Sequence, residues 1–502
     1  MKKTMAVNPI KRLAGQTVIY GLSSIVGRLL NYLLVPLYTH LIFATHEYGV
    51  ITLMYSYVAF LLVILTYGME TAFFRFYENN PGQRQTVFST TLISVLSTST
   101  LFILIITFFR QRIAGFLGFD GHPEYVVWLG LIVGLDAVAA IPFASLRAEN
   151  KPLKFAVIKL VNIGVNIGLN LFFLLLCPWI LENGPESTRL IVNSIYNPAI
   201  GVGYVFISNL VATCVTLLML LPVILRSNFG FSGKLLRKML VYALPLMVAG
   251  LAGVVNESLD KILLKHLLPA NVAMSQVGIY GACYKISIMM TIFIQAFRFA
   301  AEPFFFSQVS NQNARELYAR VMKYFVIACL FIFLGIMLFI DIVQHFIGEA
   351  YREGLGVVPI LLVANMFLGI YFNLSIWYKL TGQTRFGAII AIIGATITIL
   401  LNIWLIPVIG YYGSAWATLV CYICMTVLSF VWGQKHFPVE YDLKRIGLFI
   451  TAALLVYFLS LFTQGLHYGL NYLFALVLLG VFAFSLLLID KSLLGLLKRK
   501  TQ

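Results

Sequence analysis

Residues Leu101–Phe109 read LFILIITFF, a run that is apolar on every side of any regular structure it can form. Leu61–Gly68, with the sequence LLVILTYG, has the same character. A strand of an outer-membrane barrel alternates in polarity over about ten residues, whereas a helix crosses the bilayer core with about twenty apolar residues. Hydrophobic runs of about that helical length follow one another from Gln16 to Asp490. The pattern therefore predicts an all-α, polytopic membrane protein.

The composition excludes an ordinary soluble domain. Apolar residues make up 60% of the chain and charged residues only 11%, whereas a soluble domain carries about a quarter charged residues. The net charge of +16 would suggest nucleic acid as the partner of a soluble protein. Here most of the cations fall in alternate short loops, as the positive-inside rule requires, so the bilayer is the expected partner and nucleic acid is not.

The hydrophobic runs predict fourteen transmembrane helices. We place them near 16–38, 48–74, 86–109, 125–146, 153–177, 201–225, 239–268, 276–299, 319–340, 355–378, 386–406, 412–433, 446–464 and 470–489. An even number of spans puts both termini on one side of the membrane. Both termini are basic, with Lys2 and Lys3 at one end and Lys498 and Arg499 at the other, so we expect them in the cytoplasm.

A faint internal repeat suggests two lobes. Gly49 is followed after five residues by Tyr55, and Gly278 is followed after five residues by Tyr284. The helices concerned are six apart and run in the same direction, which is a parallel repeat about the membrane normal. We therefore predict two pseudo-symmetric six-helix lobes around a central cavity, with two further helices at the C-terminus. The predicted boundaries are 1–233 for helices 1–6, 234–437 for helices 7–12, and 438–502 for helices 13–14 with the basic tail.

Three cations lie near membrane depth, where charge is costly and usually functional. They are Arg28, Lys159 and Lys285. A guanidinium presents a planar fork suited to phosphate oxygens, and a buried lysine keeps its proton when an anion is near. These residues predict an anionic substrate. The alternatives are that Asp136 neutralises Arg28, that Lys159 extends to the cytoplasmic interface, and that a carboxylate holds Lys285.

Polar side chains accompany each of these cations, and those near Arg28 and Lys159 do so at helical spacing. They are Asn31 with Arg28, Asn162 and Asn166 with Lys159, and Tyr284 with Lys285. We predict that these four residues line a hydrated substrate cavity together with the cations. Hydrogen bonding between helices explains the asparagines equally well.

Four carboxylates lie within or at the ends of the predicted spans, namely Glu70, Asp136, Glu257 and Asp260. Each predicts either a coupling-ion site or a structural ion pair, and Glu257 has the favourable spacing to pair with Lys261. The chain has no HExxH, P-loop, GxSxG or paired-carboxylate motif. We therefore expect no enzymatic activity, no catalytic residues, no cofactor and no metal site.

Several segments in order along the chain resemble the polysaccharide flippases, also called O-antigen or lipid-linked oligosaccharide flippases, of the multidrug/oligosaccharidyl-lipid/polysaccharide (MOP) superfamily. The segments are SSIVGRLLNYLLVPLYT (Ser23–Thr39), EYGV (Glu47–Val50), GMETAFFRF (Gly68–Phe76), SLDKILL (Ser258–Leu264), VGIYGACYK (Val277–Lys285) and NIWLIPVIGYYGSAWAT (Asn402–Thr418). The similarity extends over nearly the whole chain.

The resemblance implies a transporter of the bacterial inner membrane that acts in polysaccharide or lipopolysaccharide biosynthesis. Its substrate would be an undecaprenyl-diphosphate-linked oligosaccharide, moved from the cytoplasmic to the outer leaflet by alternating access. The family has a V-shaped cavity lined by cations, onto which Arg28 and Lys285 map through their own motifs; Lys159 has no such motif. A proton or sodium ion as coupling ion, and a polysaccharide polymerase or ligase as partner, are compatible with the resemblance.

Three alternatives remain open. A lipid II flippase shares the fold, the number of helices and the basic cavity. A cation-coupled multidrug antiporter of the same superfamily would favour acids in the cavity and usually twelve helices. A membrane-embedded glycan polymerase or ligase would need a large outer loop with catalytic residues, for which segment 178–200 is a poor candidate.

Overall fold

The computed structural model describes residues 25–27, 29–119, 121–307, 314–462 and 468–490. These residues are nearly all helical, and no strand occurs among them. Within this described part of the chain, fourteen helices are long and apolar enough to cross a membrane, which confirms the predicted number and the all-α class. They are α1 (Ile25–Ile42), α2 (Thr45–Asn79), α3 (Pro81–Phe108), α4 (Pro123–Ala148), α5 (Pro152–Asn183), α6 (Gly203–Ile224), α7 (Gly233–Leu267), α8 (Ala270–Glu302), α9 (Ala314–Leu338), α10 (Val357–Leu380), α11 (Arg385–Ile409), α12 (Tyr411–His436), α13 (Leu443–Leu461) and α14 (Gly469–Ile489).

The second span agrees with the predicted 48–74, and its helix is interrupted within that range. Its first part, Thr45–Thr66, ends at Tyr67, and Met69–Asn79 follows Gly68. Tyr67 and Gly68 have φ values of 33° and 72°, which only glycine adopts without cost. A methyl group added at Gly68 would lie 2.5 Å from the carbonyl oxygen of Ala243, so α7 also requires a glycine here.

The predicted outer segment 178–200 is folded rather than irregular. It contains the end of α5, Cys177–Asn183, and a separate short helix, Glu186–Ile195. The side chains of Leu190 and Ile191 on this short helix are largely exposed. The segment carries no domain of its own, as its length predicts.

The described chain falls into two compact units. The first comprises residues 1–281 and 402–410, and therefore includes α7 and the beginning of α8. Within it, α3 packs closely against α4, because Gly130 and Gly134 leave room for Ile106 and Ile103. The predicted lobe boundary at residue 233 comes from the repeat rather than from contacts, and it stays a prediction.

The second unit comprises residues 282–401 and 411–502. Its most extensive packing joins α10 to α12, where the indole nitrogen of Trp377 donates to the carbonyl oxygen of Ser429 at 3.1 Å. Helix α9 packs against α10 and α13, and α13 packs against α14. The two C-terminal helices are thus an integral part of this unit.

Candidate functional site

The first unit contains a polar cavity of about 400 Å³ between helices α2, α4, α5 and α6. Side chains of both charges line it, together with amides, hydroxyls and aromatic carbon. The polar and charged members are Thr66, Glu70, Asp136, Arg147, Lys159, Asn162, Asn209, Thr213 and Thr216. The structure therefore brings together four predicted site residues, Glu70, Asp136, Lys159 and Asn162, from three different spans.

Asp136 is a half-buried acid that lines this cavity. It lies on α4, and its Oδ1 accepts a hydrogen bond from Thr213 Oγ1 of α6 at 3.0 Å. Within the part of the chain that the structure describes, no lysine, arginine or histidine nitrogen lies within the 4.0 Å of an ion pair with it. The carboxylate is therefore held in place by a hydroxyl rather than neutralised by direct contact with a cation.

Lys159 supplies a cation to the same cavity. Its ammonium lies over the ring of Phe143, with Nζ 4.4 Å from the ring centroid. Among the residues that the structure covers, no carboxylate oxygen comes within 4.0 Å of it. A contact with an aromatic face leaves the N–H donors of a lysine available, so this side chain can receive an anion.

Glu70 and Arg147 form an ion pair at the edge of the cavity. Glu70 begins the second part of α2 and Arg147 ends α4, so the pair joins the two helices. The guanidinium also lies over the ring of Phe74, 4.8 Å from its centroid. This arrangement is the structural pairing that the sequence analysis held open for Glu70.

A polar face of α6 completes the wall. Asn162 Nδ2 of α5 donates to Thr216 Oγ1 at 2.9 Å, and Asn209 Nδ2 donates to the hydroxyl of Tyr55 at 2.9 Å. Asn209, Thr213 and Thr216 are spaced by four and three residues, which places them on one face of the helix. That spacing is the signal by which the sequence analysis could have found them.

Asn31 and Asn166 do not line this cavity. Instead Asn166 Nδ2 donates to Asn31 Oδ1 at 3.2 Å, so that α5 is joined to α1. Asn170, which is fully buried, accepts a hydrogen bond from the Tyr38 hydroxyl at 2.8 Å and donates to the carbonyl oxygen of Asn166. These contacts are hydrogen bonds between helices, one of the two interpretations that the sequence allowed.

Lys285 and Tyr284 lie on the part of α8 that belongs to the second unit, and both are half-buried. In the first unit, the buried Asp260 pairs with Lys261 at 2.8 Å and accepts a hydrogen bond from Tyr280 at 2.7 Å. Lys261 also donates to the carbonyl oxygen of Glu257 at 3.2 Å. Asp260 is thus used in structural pairing. Arg28 and the basic termini lie outside the described residues.

The described residues hold no group of three or more histidine, cysteine, aspartate or glutamate side chains that could bind a metal ion. Cys421 and Cys424 both lie on α12. Sγ of Cys421 donates to the carbonyl oxygen of Gly394 at 3.3 Å, so this thiol is already used in helix packing. The cavity in the first unit is therefore the candidate site, and its chemistry is that of charged and neutral hydrogen-bonding groups.

Residues 42–181 of the chain match the family described as "Polysaccharide biosynthesis protein". A curated relative is the probable low-salt glycan biosynthesis flippase Agl15 of Haloferax volcanii, which is 23% identical over 364 residues. That alignment covers 72% of this chain and 71% of the relative.

Solved structures show the same fold. The lipid II flippase MurJ in an inward closed conformation superposes with a TM-score of 0.70 at 13% identity, covering 94% of this chain and 99% of that chain. An inward-facing multidrug resistance MATE family transporter of the MOP superfamily gives a TM-score of 0.60 at 16% identity, covering 87% and 96%.

The chain is therefore a multi-pass membrane protein with the fold of MOP-superfamily transporters. The family match and the relative confirm, more specifically, the predicted resemblance to the polysaccharide flippases of that superfamily.

Proposed function

We propose that this protein is a flippase that moves a polyprenyl-diphosphate-linked oligosaccharide from the cytoplasmic to the outer leaflet of the bacterial inner membrane. One observation carries the proposal: the ammonium of Lys159 faces a polar cavity of about 400 Å³ without a carboxylate at ion-pair distance in the described chain. A cation kept at membrane depth without a directly contacting anion is costly unless an anionic ligand uses it. The substrate's diphosphate is such a ligand.

The rest of the cavity suits a glycan. Amide and hydroxyl groups, such as those of Asn162, Asn209 and Thr216, form hydrogen bonds with sugar hydroxyls. The prenyl chain needs no polar cavity, because it stays in the lipid. In this mechanism two lobes, bounded near residue 233, rock about the site, and Lys285 and Arg28 supply further cations for the diphosphate. Asn31 supports Arg28, Tyr284 supports Lys285, and Asn166 holds Asn31 through its hydrogen bond.

Asp136 is the proposed site for a coupling ion, a proton or sodium. Its carboxylate and the Thr213 hydroxyl place two oxygen atoms at 3.0 Å from each other in the same cavity as Lys159. Binding of a cation at Asp136 leaves the Lys159 charge uncompensated, so it strengthens the attraction for the diphosphate. Glu70, Glu257 and Asp260 have structural roles in this scheme.

The proposed protein has both termini in the cytoplasm. It is a transporter rather than an enzyme and uses no cofactor. A polymerase or ligase receives the glycan after transport.

Lipid II flipping is the second candidate, because the MurJ structure covers 94% of this chain at a TM-score of 0.70. Lipid II also carries a diphosphate, so the cation argument applies equally to it. The MATE fold raises cationic drug export as a third candidate, for which Asp136 would be the binding group. A lysine in the same cavity disfavours a cationic substrate by charge repulsion.

A flipping assay in liposomes that contain the purified protein tests the proposal. It measures the movement of defined lipid-linked glycans between the two leaflets. Wild-type protein should flip a prenyl-diphosphate oligosaccharide, and Lys159→Ala should slow flipping at least tenfold, because a charge-assisted hydrogen bond is worth about 1.5–3 kcal/mol. Lys154→Ala is the matched control, since Lys154 lies on the same helix but does not line the cavity. Equal rates for Lys159→Ala and wild type would refute the site.

The same assay separates the candidates. Flipping of lipid II in preference to other prenyl-diphosphate glycans would identify the second candidate. Uptake of a cationic dye that Asp136→Asn abolishes and Lys159→Ala leaves intact would identify the third.

A further inference from the structure

The second unit contains two neighbouring cavities that the transport site does not use. One is polar, has a volume of about 410 Å³, and is lined by Glu316, Arg320, Lys323, Glu440 and Asp442. The other has a volume of about 250 Å³ and an apolar surface between α9, α10, α12 and α13. Residues at the beginning of α9 and in the segment that leads into α13 line both cavities.

The two cavities lie beside each other, on adjoining faces of the beginning of α9. Near the start of this helix, Glu316, Ala319, Arg320, Lys323 and Tyr324 line the polar cavity, and Met322 and Val326 line the apolar one. In the segment that leads into α13, residues that line the two cavities alternate. Glu440 and Asp442 face the polar cavity, whereas Tyr441, Leu443 and Ile446 line the apolar one. A charged end thus adjoins an apolar end, which is the polarity of a lipid at a membrane interface.

The apolar cavity suits a hydrocarbon chain. The hydroxyl of Thr426, one of its few polar groups, already donates to the carbonyl oxygen of Phe367 at 2.9 Å. A cavity without available polar groups does not hold water, and an apolar ligand that enters it regains dispersion contacts. In a membrane, the ligand at hand is a lipid chain.

The polar cavity has more acidic than basic side chains, and this charge determines which lipid headgroup it can bind. Arg320 is already paired with Glu316 at 2.7 Å, and Lys323 is paired with the buried Asp490. Asp442 pairs with Arg445 at 3.2 Å and caps α13. Glu440 is exposed and has no cation within 4.0 Å in the described part of the chain. The site therefore attracts a cation and disfavours a lipid with net negative charge.

Arg320 adds the complementary group. Its side chain is 55% exposed, and a guanidinium has more N–H donors than its single contact with Glu316 uses. It can therefore donate to a phosphate while the acids of the same cavity accept from an ammonium. A headgroup with one phosphate and one primary ammonium matches this arrangement. A choline headgroup does not, because it has no N–H donor.

We propose that these two cavities form a binding site for one phosphoethanolamine lipid. Its ammonium contacts Glu440, its phosphate contacts Arg320, and one hydrocarbon chain fills the cavity between α9, α10, α12 and α13. The site is independent of the transport substrate. It stabilises the packing of α13 against α9 and α10.

The test uses the purified full chain in detergent after removal of bound lipid. Dioleoyl phosphatidylethanolamine, phosphatidylglycerol and phosphatidylcholine are added separately, and bound lipid is measured by native mass spectrometry together with the thermal unfolding midpoint. We expect one phosphatidylethanolamine to be retained per protein and to raise the midpoint. The other two lipids should bind at least fivefold more weakly, since one exposed charge contact is worth about 1 kcal/mol.

Two variants test the two ends of the site. Glu440→Gln should weaken phosphatidylethanolamine binding about fivefold, whereas Glu186→Gln, at an exposed acid outside this unit, should leave it unchanged. Ile446→Trp should fill the apolar cavity and weaken all three lipids, with its unfolding midpoint without lipid as the check on folding. Equal retention of the three lipids, preference for phosphatidylglycerol, or unchanged binding in either Glu440→Gln or Ile446→Trp would overturn the proposal.

Discussion

Gly278 of α8 lies against the backbone of Thr45 of α2, so close that a methyl group added at Gly278 would be 1.9 Å from the Thr45 carbonyl oxygen. The same methyl group would be 2.9 Å from the backbone nitrogen of Gly49, and one added at Gly49 would be 2.0 Å from the carbonyl oxygen of Met274. The two glycines that the sequence repeat pairs are thus in contact with one another's helices. Both α2 and α8 begin near this contact, on the side of the membrane that the proposed topology places outside.

Gly278→Ala should therefore destabilise the protein and impair transport. No side-chain rotation relieves a contact with backbone atoms, so the helices must separate, at a cost of about 1–3 kcal/mol or more. Thermal unfolding in detergent measures the first effect, and flipping in liposomes the second. Gly253→Ala on α7 is the control, because nothing lies within 4 Å of a methyl group added there. A midpoint for Gly278→Ala equal to that of Gly253→Ala would contradict the predicted clash.

Asp136→Asn should uncouple transport from its driving ion. The amide keeps the size of the side chain and can still accept the hydrogen bond from Thr213, but it neither takes up a proton nor attracts sodium. Flipping driven by an imposed proton or sodium gradient should fall at least tenfold, as expected for the loss of a charge-assisted contact of about 1.5–3 kcal/mol. Equilibration without a gradient should continue.

Thr213→Val provides the comparison, since it removes the hydroxyl that holds Asp136 at 3.0 Å and leaves the charge in place. We expect the gradient-driven flipping rate of Thr213→Val to lie between those of wild type and Asp136→Asn. Full gradient-driven transport by Asp136→Asn would exclude this carboxylate as the coupling site.

The helices could be predicted from the sequence because few backbone conformations are stable in lipid. Every backbone polar group must be satisfied within the span, so each long apolar run has to be a helix. The polar stripe of α5 could also be predicted, because polar residues stand out in an apolar span. Asn162 and Lys159 interrupt an otherwise apolar run, and they do line the candidate cavity.

The partners of those residues could not be predicted. Which helix lies beside α5 depends on packing, so neither the contact of Asn162 with Thr216 nor that of Asp136 with Thr213 follows from spacing alone. Arg147 directly follows the predicted span 125–146, yet it lies in the last turn of α4, at the cavity edge. The interruption of α2 at Gly68 depends in the same way on the backbone of α7.

The hydrogen-bonded chain from Tyr38 to Asn170 should stabilise the contact of α1 with α5. Tyr38→Phe leaves the fully buried Asn170 with one acceptor unsatisfied. Hydrogen bonds between membrane helices are worth about 0.6 kcal/mol on average, with a maximum near 1.7. We expect a loss within that range in thermal or denaturant unfolding. Tyr57→Phe, which removes a hydroxyl bonded to His266 in an exposed contact, should cost less. A larger loss for Tyr57→Phe would contradict the importance of the buried chain.

Lys323 of α9 and Asp490 at the end of α14 form an ion pair that is almost fully buried, with exposures of 9% and 1%. Arg445 of α13 also lies 3.7 Å from Asp490, so one carboxylate connects three helices of the second unit. Lys323→Met should destabilise the protein by about 3–5 kcal/mol, because it leaves a buried carboxylate without its main partner.

The double variant Lys323→Met with Asp490→Leu should recover much of this loss, since it removes both charges from the buried site. Arg320→Met is the matched control on the same helix, because its pair with Glu316 is exposed and should contribute about 0–1 kcal/mol. Unfolding of wild type, the single variants Lys323→Met and Asp490→Leu, and the double variant in one detergent gives the coupling between Lys323 and Asp490 as a double-mutant cycle. If the two single variants prove additive, the pair does not act as a unit, and the attachment of α14 to α9 depends on apolar packing instead.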